Sequence, residues 1–211
     1  MKNNKGFTLI EVLATIIILG VISVVAIPKI FDYISSSREN IYIQDTRKMI
    51  AQAQYRMGAS STEIEKPGPG EVVVFTLNYL AGNDFRNAPN GGKYAFDASF
   101  VLVTYSSEDK QYHYAAMLLE KLSEKDYSGV KLSTEDLINT NKRTSLIDGF
   151  SNDDLIFPTE KCSSYQIGDT LLSTEYIKQK LGSDPIWNGL GNTSIVRIYY
   201  DKVAHELESK R

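Results

Sequence analysis

The chain has 211 residues, 42% hydrophobic and 23% charged, with a formal net charge of −3 at neutral pH, enough for one domain of ordinary size with something added. These proportions exclude a disordered tail, a collagen-like repeat and a polytopic membrane protein, and without a basic excess little is available to neutralise a nucleic-acid backbone. A single cysteine, Cys162, excludes an internal disulfide and any multi-cysteine zinc site.

The apolar residues are concentrated at the start. Residues 1–6 are short, polar and basic, and Phe7 to Ile27 follow with sixteen apolar residues of 21 and one charge, Glu11. As a helix this run spans about 32 Å, close to the hydrocarbon thickness of a bilayer. Lysines before it and acidic residues beyond it orient the N-terminus to the cytoplasm. An ordinary secretory signal would be shorter, free of carboxylates and followed by a small-residue cleavage site. Here Pro28-Lys29 follow directly. A carboxylate at membrane depth costs about 2.5 kcal/mol or more, so Glu11 needs a partner or a task.

The residues Lys5-Gly6-Phe7-Thr8-Leu9-Ile10-Glu11-Val12 resemble the processing site of type IV pilins and the related pseudopilins. The resemblance implies that a prepilin peptidase removes residues 1–6 by cutting between Gly6 and Phe7, and that Phe7 becomes the N-methylated first residue. It implies that Glu11 pairs with the amino group of a neighbouring subunit during filament assembly. Gly20 and Pro28 fall where family members carry a glycine and a proline, bounding a stretch that can lose helicity in the filament. Physically, pairing a carboxylate with an ammonium in hydrocarbon relieves the cost of both. Glu11 is then a registry device, because a wrongly staggered subunit leaves it unpaired. Pro28 lacks an N–H and clashes with the preceding turn, so a kink or opening is expected there.

Residues 28–57 read as the amphipathic continuation of this helix, with Ile30, Ile34, Ile41, Ile50, Ala53 and Met57 on the face turned to a domain. Gly58 to Gly70 is a turn-rich connection, and Val72 to Leu80 is a short strand or helix that periodicity does not settle. Asn87-Ala88-Pro89-Asn90-Gly91-Gly92 marks a turn. Lys93 to Tyr105 and Gln111 to Leu119 are expected to pair as an antiparallel hairpin. Beyond Lys121 the pattern is irregular. Ser133 is expected to cap a helix, Ser173 to Leu181 to form another, Ile195 to Tyr200 a late strand, and Ala204 to Arg211 a frayed end.

Catalytic motifs are absent: there is no nucleotide loop, no Gly-x-Ser-x-Gly and no His-Glu-x-x-His. His113 and His205 stand far apart in the chain. The acidic turn Asp148 to Asp154 lacks the ligand spacing of an EF-hand and reads as a solvated loop. Tyr105, Tyr112 and Tyr114 suit either an adhesive surface or plain strand propensity. Neither a catalytic residue, a cofactor nor a metal is expected.

The expected fold is α+β and pilin-like: a long N-terminal helix, half transmembrane and half amphipathic, packed against an antiparallel sheet, with residues 58–211 as the globular head. The resemblance implies a structural, non-enzymatic subunit of a type IV pilus, major or minor. Pseudopilin of a secretion or DNA-uptake system, and tip-located binding module, are the alternatives. Implied partners are the prepilin peptidase, other pilin subunits in a helical filament, the membrane and the pilus assembly platform. The implied location is a single-pass membrane protein before assembly and a surface pilus after it. Many Gram-negative pilins close a C-terminal loop with a disulfide, which this chain cannot, so a Gram-positive source is expected.

Overall fold

The computed structural model describes residues 6–59, 64–80, 85, 87–133, 147–157, 174–182, 193–200 and 203–208. The chain divides into two compact units, Met1–Asn40 and Ile41–Arg211. One 50-residue helix, α1 (Leu9–Gly58), contributes to both.

In the first unit α1 carries its apolar side chains outward, from Leu9 at 85% exposure to Phe31 at 66%. The helical assignment is unbroken through Gly20 and Pro28. A proline removes only one backbone donor, here the one that would reach the carbonyl of Val24, and the surrounding turns carry the helix past it. α1 is thus helical on both sides of Pro28 in the single chain.

The second unit is built on an eight-stranded sheet. Its strands are β1 (Glu71–Thr76), β2 (Lys93–Tyr94), β3 (Phe100–Ser106), β4 (Gln111–Lys121), β5 (Asp126–Ser133), β6 (Ile147–Ser151), β7 (Ile195–Tyr200) and β8 (Val203–Glu208). A single helical turn, α2 (Leu77–Leu80), follows β1, and α3 (Thr174–Gly182) precedes β7. The order across the sheet is β6-β5-β4-β3-β1-β7-β8, with β2 paired to β4. All pairs are antiparallel except β1 with β7, which run parallel with Glu71 opposite Ile195. The sheet is thus mixed and mostly antiparallel, in keeping with the expected α+β arrangement.

Both faces of this sheet are buried, and the alternation along each strand shows it. Val73 and Phe75 of β1, Val101 and Val103 of β3, and Ala116 and Leu118 of β4 join Tyr42, Met49, Ile50, Ala53 and Met57 of α1 in one core. The intervening Val72, Val74, Phe100, Leu102, Met117 and Leu119 join Leu155, Ile156, Phe157 and Ile177 in a second. Strands covered on both sides read as continuous apolar runs, which is why Val-Val-Val-Phe and Ala-Ala-Met-Leu-Leu show no polar alternation. On α1 the packed residues are Tyr42, Thr46, Met49, Ile50, Ala53 and Met57, at helical spacing. Ile30, Ile34 and Ile41, expected on that face, are 54%, 39% and 40% exposed.

Other expectations are corrected as well. The run from Lys93 to Tyr105 is not one strand. Ser99 and Ala98 donate back to the carbonyl of Ala95, at 2.8 and 3.2 Å, turning the chain between β2 and β3. The irregular stretch after Lys121 contains β5 and β6, and the end expected to fray forms β8 against β7, with Ile195 opposite Glu208. Ser133 closes β5; the helix expected from Ser133 otherwise falls outside the described residues. Val72 to Leu80 resolves into both alternatives, β1 and then α2.

Two polar devices fix the connections around the helix. Arg197, 7% exposed on β7, reaches Glu71 at 2.8 Å and Glu65 at 3.3 Å, while Gly68 N–H donates to Glu71 at 2.9 Å. The backbone bond from Gly68 and the bond from Arg197 hold the Glu71 carboxyl below its ordinary range. Glu120, fully buried at the end of β4, accepts from Tyr42 Oη at 2.5 Å, Gly92 N–H at 2.7 Å and Asn90 N–H at 3.1 Å. The turn at 87–92 is shaped to reach it: Gly91 has φ +91°, and a Cβ on Gly92 would sit 2.7 Å from Glu120 Oε1. Beside this cluster Tyr94 Oη donates to Asp45 at 2.7 Å. Burial, then the adjoining carboxylates, raise the pKa of both Tyr42 and Tyr94.

Candidate processing and assembly site

The candidate site occupies the start of the first unit. Gly6, Phe7 and Thr8 precede α1, which begins at Leu9. Phe7 is 89% exposed, and a Cβ built on Gly6 meets nothing within 4 Å. Among the described residues, packing therefore does not require the glycine.

Glu11 sits at the third helical position, and its carboxylate turns back on the residue before the helix. Thr8 N–H and Thr8 Oγ1 both donate to Glu11 Oε2 at 2.8 Å. In return, Glu11 N–H donates to Thr8 Oγ1 at 3.4 Å. This is a capping box, satisfying donors that a helix start otherwise leaves unmatched. Thr8 thus joins Glu11 at the site, and Thr-x-x-Glu ahead of an apolar run is the pattern in the sequence that signals such a cap.

The remaining hydroxyls of the apolar stretch are satisfied within the helix. Thr15 Oγ1 donates to the carbonyl of Val12 at 2.8 Å and Ser23 Oγ to that of Leu19 at 2.7 Å. The helix is long and apolar enough to cross a membrane, and its most apolar 18-residue window is 0% buried. Glu11 is thus the one charge on a face otherwise matched to lipid or to other apolar helices. Gly20 has open space around it, with nothing within 4 Å of an added Cβ.

The weaker candidates fall elsewhere. His113 Nε2 lies 2.6 Å from Asp109 Oδ2 at the tip of the β3–β4 hairpin. Tyr105 and Tyr112 are cross-strand partners with ring centroids 5.4 Å apart, while Tyr114 is part of the core beneath α1. The acidic turn continues from β6 into a short 3₁₀ turn, Asn152–Asp154. There Asp154 accepts from Ser151 N–H and Oγ, both at 2.8 Å, which holds its carboxyl below the ordinary range. Among the described residues no group of three His, Cys, Asp or Glu is placed to hold a metal ion. Cys162 and the side chain of His205 lie outside the described residues.

Residues 1–27 match the family described as the prokaryotic N-terminal methylation motif. No solved structure matches the chain. The motif implies processing by a prepilin peptidase and assembly with other pilins, and with the long apolar helix it fits a membrane-anchored bacterial protein. The match is consistent with a type IV pilin-like class III signal peptide, and the motif supports a type IV pilin-like or pseudopilin protein.

Proposed function

We propose that this chain is a structural subunit of a type IV pilus, stored in the membrane through residues 7–27 and polymerised through the same helix. In this reading residues 1–6 are a leader, Phe7 is the methylated first residue of the mature subunit, residues 28–57 join anchor to head, and residues 58–211 complete the head. Gly20 and Pro28 give the helix freedom to extend when the subunit leaves the bilayer for a surface filament.

The observation that supports it is the apolar first half of α1, whose most apolar window is 0% buried and which carries one carboxylate, Glu11, within a methylation motif at residues 1–27. Such a helix is stable in lipid. Outside lipid it has to bury its surface against like helices, because each apolar side chain left in water costs about 1.5–3 kcal/mol. Glu11 then selects the stagger, exchanging its contacts with Thr8 for the ammonium of a neighbour.

The test is a pair of variants expressed with the cognate assembly machinery. Gly6→Ala fits this structure without a clash, so retention of the leader by that variant reports recognition by the peptidase. Glu11→Ala is expected to be processed and yet to be missing from sheared filaments. Its normal incorporation would sink the registry role, and Lys2 or Lys5 found on mature protein by mass spectrometry would sink the cleavage.

A further inference from the structure

The dipeptide Asn90-Gly91 lies on the exposed side of the 87–92 turn, directly over the buried Glu120 cluster. Asn90 does two things there. Its backbone N–H donates to Glu120 Oε2 at 3.1 Å, and its side-chain Nδ2 donates to Tyr42 Oη at 3.1 Å. Gly91, at φ +91°, donates its N–H to the carbonyl of Ala88 at 3.0 Å.

We propose that Asn90-Gly91 is a self-modification site: a deamidating pair whose rate is set by these hydrogen bonds and whose product releases the turn from Glu120. Glycine offers no side chain to hinder the attack of its own nitrogen on the preceding amide. Gly91 N attacks Asn90 Cγ, the Cγ–Nδ2 bond breaks, and that nitrogen leaves as ammonia with the proton shed by Gly91. The resulting five-membered succinimide is opened by one water, giving aspartate or isoaspartate according to which carbonyl the water attacks. No oxidant or further reagent is needed, and water has access because Asn90 and Gly91 are both exposed.

The folded turn restrains both reacting groups. The electrophile is held by Tyr42, and the nucleophile is turned to the carbonyl of Ala88. Attack therefore requires the turn to open. The product reverses the local chemistry as well, because Nδ2, a donor to Tyr42 Oη, becomes a carboxylate oxygen. Two carboxylates then compete for the single Tyr42 hydroxyl proton, in a place where Glu120 is already fully buried. Like charges at such range repel, and the cheapest relief is for the turn to lift into water. The change is irreversible, so it marks the age of a subunit.

The experiment incubates the full chain in detergent micelles near pH 8 and follows ammonia loss by the mass increase of the peptide containing Asn90. The other Asn-Gly of the sequence, Asn188-Gly189, is scored separately. Native protein is expected to react at least tenfold more slowly than the urea-unfolded chain. Tyr42→Phe is expected to raise the native rate about fivefold, the effect of losing one ordinary hydrogen bond. Equal rates for native and unfolded chains, or for wild type and a folded Tyr42→Phe, would overturn the restraint. Independently, Asn90→Asp is expected to expose the backbone amides of residues 90 and 92 to hydrogen exchange, and wild-type protection there would overturn the release.

Discussion

Replacing Glu120 tests whether a charged acceptor, and not merely a filled volume, holds α1, β4 and the 87–92 turn together. The side chain is fully buried and receives Tyr42 Oη, Gly92 N–H and Asn90 N–H within 3.1 Å. In Glu120→Ala the two backbone donors can regain water if the turn lifts, because Asn90 is exposed and Gly92 half-buried. Tyr42, at 0% exposure, cannot reach water. Taking the carboxylate acceptor from a buried hydroxyl costs about 1–3 kcal/mol, and each hydrogen bond to a charged group about 1.5–3 kcal/mol before water recovers part of it. Removing a buried carboxylate returns some desolvation energy, which leaves a net loss of about 3–5 kcal/mol. Glu120→Gln keeps the shape and one acceptor but turns an NH₂ toward a donor, for a loss of about 2 kcal/mol. Urea denaturation of the full chain in micelles, followed by near-ultraviolet dichroism of its 13 tyrosines, reads both variants as shifts of midpoint at constant slope. A Glu120→Ala loss below about 1 kcal/mol would refute the reasoning. So would a Gln variant as stable as wild type, since it would mean a neutral amide serves equally well.

Gly129→Ala is expected to destabilise the sheet by about 1–3 kcal/mol or more, because the new methyl would lie 2.3 Å from the carbonyl oxygen of Leu118; thermal melting checks it, and an unchanged midpoint would refute the close packing of β5 on β4. At high pH the raised pKa values of Tyr42 and Tyr94 make folding favour the protonated phenols. Their contribution is complete below the ordinary value of 10.0 and is lost as pH rises through the higher folded values. Tyr94→Phe should therefore flatten the alkaline fall in stability. At low pH the depressed pKa of Glu71 works the other way: its contribution is present above 4.5 and lost as pH falls through the folded value. Glu71→Gln should be less stable at neutral pH and lose less on acidification, measured by denaturation midpoints across pH.

What was legible in the sequence follows from how local each cause is. The membrane-length helix and the methylation motif are contiguous, and a single pass along residues 1–27 finds them. β1, β3 and β4 declare themselves by unbroken apolar runs. β5 does not, because Asp126, Gly129 and two serines give it poor strand composition, and its neighbours β4 and β6 decide its state. β8, Val-Ala-His-Glu-Leu-Glu, looks like a polar tail because an edge strand is protected by charge. On α1, Ile30 and Ile34 share the helical spacing of Ile50 and Met57 yet stay exposed, because spacing names a face but not what covers it. At the candidate site, Gly6, Phe7 and Glu11 were readable as a motif, whereas the part played by Thr8 emerges only from the bonds it makes. Glu120 is the opposite extreme. It ends an apolar run like any surface residue, and its burial depends on Tyr42, 78 positions away.

The parallel pairing of β1 with β7 sets a timetable for the newly made chain. β1 is among the first strands to be made after α1, yet one of its edges is matched only by residues 195–200. Until those residues leave the ribosome, Val72 to Phe75 present open backbone donors and acceptors beside apolar side chains, the arrangement that invites pairing with a stranger. Late, long-range closure of this kind also slows folding. A chain truncated ahead of residue 195 would therefore keep its long apolar helix and its motif, and is expected to be lost to aggregation or proteolysis. Completeness of the head is thereby checked by the fold itself, at the last strands to arrive.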